Sequence, residues 1–221
     1  MSLQFIMGSS GIGKTHYACE QIIRESLEHP EKRYYIIVPE QFTMQTQRNV
    51  VEMHPGKGIL NIDVLSFERL AYRIFEEVGG AREVLLDDTG KSMVLAKLVQ
   101  KHKKELPYLG SQMNKAGYLD EVKSLISEFM QYDVKEEEME EMLEKAGEES
   151  LLYRKMKDVE LLYTSFKEYL EGHYITGEGV MDALRAAIPF SAKMKNSVVL
   201  LDGYTGFTPI QLHVIRELLI V

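Results

Sequence analysis

At 221 residues the chain suffices for one large domain or two small ones, and its 45% hydrophobic content is that of an ordinary globular protein. No run of 18 apolar residues occurs, no secretory signal is visible, and the single cysteine, Cys19, excludes an intrachain disulfide or a cysteine-held cluster within these residues. The net charge of −8 is local, because residues 120–149 hold 12 acidic and 3 basic side chains; the remainder is near neutral and has no strong basic patch, which argues against tight DNA binding by this chain alone.

The N-terminal run Leu3-Gln4-Phe5-Ile6-Met7 reads as a short buried strand. It leads into Gly8-Ser9-Ser10-Gly11-Ile12-Gly13-Lys14-Thr15, which fits the phosphate-binding pattern G-x-x-x-x-G-K-[ST] at every fixed position. A helix is expected from His16 to Glu28. Such a loop turns its backbone N–H groups toward a nucleotide's phosphates at the positive end of the following helix. In that pattern Lys14 reaches the β- and γ-phosphates and the Thr15 hydroxyl takes Mg²⁺.

Arg33-Tyr34-Tyr35-Ile36-Ile37-Val38 is a second β-rich run, stopped by Pro39, and a helix is expected from about Gln41 to Met53. His54 to Gly58 forms a turn, Ile59 to Leu65 a third strand, and Ser66 caps a helix from Phe67 to Val78 that Gly79-Gly80 ends. Residues 86–188 change character: apolar side chains recur at spacings of three and four, as in Leu119/Val122/Leu125/Ile126/Phe129. Four or five helices are expected there. The acidic run Glu136-Glu137-Glu138-Met139-Glu140-Glu141 reads as a solvated helix face. Asn196 to Leu201 then forms a strand ending in Asp202, and Thr208-Pro209-Ile210-Gln211 has the form of a capping box before a helix from Leu212 to Val221.

Val198-Val199-Leu200-Leu201-Asp202 has the shape of a Walker B strand, whose Asp holds Mg²⁺ opposite the P-loop Thr. Many ATPases place Glu next, to position the attacking water; here it is Gly203, followed by Tyr204, Thr205 and Gly206. With no carboxylate there, no catalytic residue is assigned, and Mg·ATP binding with little or no hydrolysis is expected.

Gly8–Thr15, Val38-Pro39-Glu40-Gln41-Phe42-Thr43, Val64-Leu65-Ser66-Phe67-Glu68-Arg69-Leu70-Ala71 and Leu201-Asp202-Gly203-Tyr204-Thr205-Gly206-Phe207-Thr208-Pro209-Ile210-Gln211 together resemble the start of the AddB family, the B subunits of bacterial AddAB helicase–nucleases. The resemblance covers the whole chain in motif order. It implies an α/β P-loop NTPase fold: a RecA-like parallel sheet (helicase domain 1A) over residues 1–85 and 190–221, with an inserted all-helical, 1B-like subdomain over residues 86–189. It further implies ATP on Gly8, Ser9, Ser10, Gly11, Ile12, Gly13, Lys14 and Thr15, and Mg²⁺ on Thr15 and Asp202. Single-stranded DNA would meet the motif Ia-like Gln41, Phe42 and Thr43 and the following Ser66 and Phe67. An Fe–S cluster would belong only to a C-terminal region outside these residues.

Departures from an active helicase are also visible. Gly203 replaces the usual Glu, no adenine-reading glutamine motif precedes the first strand, and the second RecA domain and the nuclease domain are absent, so a fragment of a longer protein is expected. The implied function is the ATP-binding, helicase-like N-terminal part of a B subunit that partners AddA on DNA during double-strand-break repair and recombination. It would be cytoplasmic and have no membrane partner. A free-standing P-loop phosphotransferase, or a scaffold stabilised by nucleotide, would share the P-loop; the phosphotransferase would also need an acceptor site that the sequence does not reveal.

Overall fold

A computed structural model describes residues 3–79, 83–113, 115 and 117–221. In chain order the elements are α1 (Lys14–Glu28), β1 (Arg33–Ile37), α2 (Thr43–Met53), β2 (Ile62–Leu65), α3 (Phe67–Val78), β3 (Val84–Leu85), α4 (Asp88–Lys101), α5 (Tyr118–Gln131), α6 (Glu136–Ala146), α7 (Leu151–Leu170), β4 (Tyr174–Ile175), α8 (Gly177–Ala187), α9 (Ala192–Lys195), β5 (Ser197–Leu201) and α10 (Pro209–Ile220). Contacts divide them into two compact units, Met1–Gly80 with Met181–Val221, and Ala81–Val180.

The first unit is organised by a three-stranded parallel sheet in the order β2-β1-β5. Tyr34 pairs with Ile62 on one side and Val198 on the other, and the register runs to Ile37, opposite Leu65 and Leu201. β1 is central, and four of its five residues are buried, which is why it reads as a continuous apolar run rather than an alternation. Cys19, Ile22 and Ile23 of α1 and Val50 of α2 close the core around Tyr34, Ile36 and Val64. α3 buries Phe67, Leu70, Ala71 and Ile74, a stripe at spacings of three and four, and Ser66 caps it by accepting a hydrogen bond from the Arg69 N–H. The Gly80 half of the expected stop signal lies outside the described residues; Gly79, at φ +79, follows the last helical residue.

The second unit packs α4, α5, α6 and α7 around Leu95, Val122, Ile126, Phe129, Leu143, Leu162 and Phe166, with the short parallel pair β3–β4 beside them. The acidic first turn of α6 suits the positive end of that helix, and Glu138 accepts from the Lys135 N–H at 3.0 Å. Met139 and Leu143 form its buried side.

The expected RecA-like P-loop fold is not what forms, and this corrects the fold class inferred from the sequence. The molecule is mostly helical, and the only sheet of more than two strands among the described residues is the three-stranded one. Leu3–Met7, the expected first strand, has no strand conformation, and Leu3, Phe5 and Met7 are 60%, 73% and 87% exposed. The physical reason is that an apolar run becomes a strand only when a neighbour takes up its backbone N–H and C=O groups. β5 bonds only to β1, and no described segment pairs along its other edge.

Candidate functional site

The loop from Gly8 to Gly13 is exposed and runs into α1 through Gly13, at φ +91, a left-handed conformation that favours glycine. No side chain caps α1, and its first turn carries no acidic residue. The N–H groups that a Ser or Asp cap would claim are therefore left for an external acceptor, at the end of the helix where an anion is favoured. Lys14 folds back over the loop, and its Nζ donates to the carbonyl oxygens of Gly8 at 3.0 Å and Ser9 at 2.8 Å. The positive charge is thus held across the loop by backbone acceptors that a phosphate can replace.

The next residue closes the site. Thr15 Oγ1 donates to the Asp202 carboxylate, 2.9 Å from Oδ2 and 3.1 Å from Oδ1, although the two residues lie 187 positions apart. Asp202 is delivered by the end of β5, and its N–H donates to the Ile37 carbonyl of β1 at 3.1 Å. A hydroxyl and a carboxylate converging in an accessible position fit Mg²⁺, a hard cation that accepts one or two protein oxygens and keeps its waters and phosphate ligands. One turn into α1, burial and the Asp202 charge push the Cys19 thiol up to about 11, so it packs as a neutral side chain.

Gly203 follows at φ +79, and a Cβ there would stand 3.4 Å from Pro39 Cδ and 3.6 Å from Phe42 Cδ2. The chain thus turns through the left-handed region directly after Asp202, with no side chain at that position. Tyr204 and Phe207 then close over Phe67, with ring centroids 4.9 Å apart from each other and 5.7 and 6.5 Å from Phe67. Burial, with Glu40 nearby, pushes the Tyr204 phenol up to about 12.

The five residues expected at DNA separate into two groups. Gln41 and Phe42 are exposed, Phe42 by 46%. Thr43 is buried, and its hydroxyl donates to the Glu40 carbonyl at 2.9 Å; Ser66 is buried as the α3 cap; Phe67 is buried beneath Tyr204 and Phe207. Arg69 bonds Glu40 at 2.9 Å and so ties the segment after β1 to α3. Glu40, Arg69, Tyr204 and Phe207 stand in the sequence only as motif residues with no role assigned; two aromatic residues three apart in the glycine-rich turn after Asp202 were the available signal for their packing.

The family described as ADDB, N-terminal, matches residues 5–221. The B subunit of the ATP-dependent helicase/deoxyribonuclease of Lachnoclostridium phytofermentans is 44% identical over 99% of this chain and 19% of its own length. The proteins of the same name from Alkaliphilus metalliredigens and Clostridium kluyveri are 34% and 33% identical, again over 99% of this chain and 19% of theirs. The chain belongs to the AddB N-terminal family. It spans about a fifth of the length of these curated relatives.

Proposed function

We propose that this chain is the nucleotide-binding N-terminal part of the B subunit of a helicase/deoxyribonuclease, which works with an AddA subunit on DNA in double-strand-break repair and recombination. Its Gly8–Thr15 loop binds ATP, and Thr15 with Asp202 holds Mg²⁺. The observation that carries this reading is the Thr15–Asp202 hydrogen bond, which joins two motifs from opposite ends of the chain at one point. When bound, Mg²⁺ would neutralise phosphate charge; the chain's own residues bind and orient. Lys14 leaves the Gly8 and Ser9 carbonyls for the phosphates, and the uncapped start of α1 supplies N–H donors.

Turnover is low, because the position after Asp202 carries no side chain and its backbone sits where an L-residue is strained. The exposed Gln41 and Phe42 offer an amide and an aromatic face to single-stranded DNA, whereas the buried Thr43, Ser66 and Phe67 would act only by holding the local backbone in place. The test is a titration of the 221-residue chain with a fluorescent ATP analogue and Mg²⁺, beside an assay of phosphate release. Saturable binding without release above background is expected. No binding at millimolar nucleotide would falsify the nucleotide reading, and brisk release without a partner would overturn the division of labour.

A further inference from the structure

The second unit holds an open polar cavity of about 440 Å³, far in sequence from Gly8–Thr15 and lined by Asp88, Lys91, Glu178 and a run of residues from Lys123 to Tyr132. α5 and its C-cap Tyr132 supply most of the wall: Lys123, Ser124, Ser127, Glu128 and Gln131 follow one another at helical spacing, on the side away from the buried Val122, Ile126 and Phe129.

The charges facing the cavity do not balance. Lys91, a buried ammonium, is spent on both Glu178 oxygens at 3.0 Å and on Ser127 Oγ at 3.2 Å. Lys123 bridges Asp88 at 3.6 Å and Asp120 at 3.3 Å. Both cations of the lining are thus committed, whereas among the described residues no ion pair or side-chain hydrogen bond engages the Glu128 carboxylate. An anion would meet this surplus carboxylate. A compact metal ion would find no group of three or more candidate ligands among the described residues. An apolar ligand would leave a polar lining unpaired.

We infer that this cavity is a binding site for an organic cation, and specifically for the arginine side chain of a partner polypeptide. A guanidinium carries five N–H donors. Glu128 offers the carboxylate for a forked pair, and the Gln131 carbonyl and the Ser124 and Ser127 hydroxyl oxygens offer the remaining acceptors. The half-exposed Tyr132 ring is placed to cover the side-chain stem. The acidic surroundings, residues 120–149, would draw in a basic segment.

The test is nitrogen-15 NMR of the 221-residue chain titrated with L-argininamide and, separately, with spermidine. Saturable shifts confined to residues 124–132, about fivefold weaker in Glu128→Gln and unchanged in Glu144→Gln on the acidic face of α6, are expected for a charge-assisted pair. Equal binding by Glu128→Gln, or unsaturated shifts spread along α6, overturns the site. Tighter binding of spermidine than of L-argininamide overturns the arginine assignment. Glu128 and Glu144 are not buried in the core, so neither substitution threatens folding.

Discussion

Thr15 and Asp202 share one hydrogen-bonded contact, 2.9 Å at its shortest, between the start of α1 and the end of β5. If both hold the same ion, their effects on nucleotide affinity are not independent. Thr15→Ala and Asp202→Asn should each cost about tenfold in the Mg²⁺-dependent part of ATP affinity, and the double variant should be little worse than either alone. Lys14→Ala should weaken nucleotide binding about tenfold or more with and without Mg²⁺, because in the proposed complex its partner is phosphate rather than the metal. Isothermal titration in magnesium and in chelator separates the two classes. Additive losses for Thr15 and Asp202 would mean that they serve different groups.

On the proposed nucleotide-binding reading, Gly203 is the position at which a glutamate would be introduced to gain hydrolysis. Its φ of +79 argues against that gain. Gly203→Glu and Gly203→Ala should both lose roughly 1–2 kcal/mol of stability from the left-handed backbone. Neither should release phosphate faster than the parent chain. A Gly203→Glu variant that melts like the parent and turns over ATP would show that the turn readily adopts another conformation.

What was legible in the chain was local. The Ser66 and Thr208 caps, the Phe67–Val78 span of α3 and the end of β5 at Asp202 depend on residues within a few turns, and each stands where its pattern places it. What was illegible depends on partners distant in sequence. Leu3–Met7 has the composition of a strand but no ladder to join, and the expected strand from Ile59 starts only at Ile62, where pairing with Tyr34 begins. Spacing could not reveal that Thr43 and Phe67 are buried while Phe42 is exposed, since all three flank strand ends. The pairing of Lys91 with Glu178 across 87 positions leaves no periodic trace at all. Gly8–Thr15 and Asp202 stood out because they fit a spaced pattern of residue types, which can be read without knowing the rest of the fold.

Asp158 is a buried carboxylate in α7 that accepts from the N–H groups of Tyr108 at 2.9 Å and Leu109 at 2.7 Å. It anchors a segment without regular structure to the core of the second unit. Asp158→Ala leaves two donors unpaired and should lower unfolding free energy by about 2–4 kcal/mol; Asp158→Asn, which keeps an acceptor oxygen, should cost less. Urea unfolding measures the loss, and hydrogen exchange at Tyr108 and Leu109 locates it. Unchanged protection in Asp158→Ala would remove the anchor role.

Glu77 plays the corresponding part in the first unit, where it accepts from Ser191 Oγ at 2.7 Å and from the Lys193 N–H at 3.1 Å and so holds the start of α9. Burial would raise its carboxyl, but the hydrogen bonds from Ser191 and the backbone at Lys193 and Ala192, aided by the Lys193 charge, outweigh it and hold the group below its ordinary value of 4.5. A carboxyl depressed in the folded state binds its proton more readily once the chain unfolds, so it stabilises the fold when ionised. The contribution is complete above pH 4.5 and is lost as pH falls through the lower folded value. Glu77→Gln should therefore be less stable than the parent chain by a constant margin from about pH 5 upward. That margin should narrow as pH falls below 4.5 and the parent's own carboxyl takes up its proton, in a series of urea midpoints. A margin that widens on acidification would reverse the sign of the shift and remove Glu77 as an ionised cap for α9.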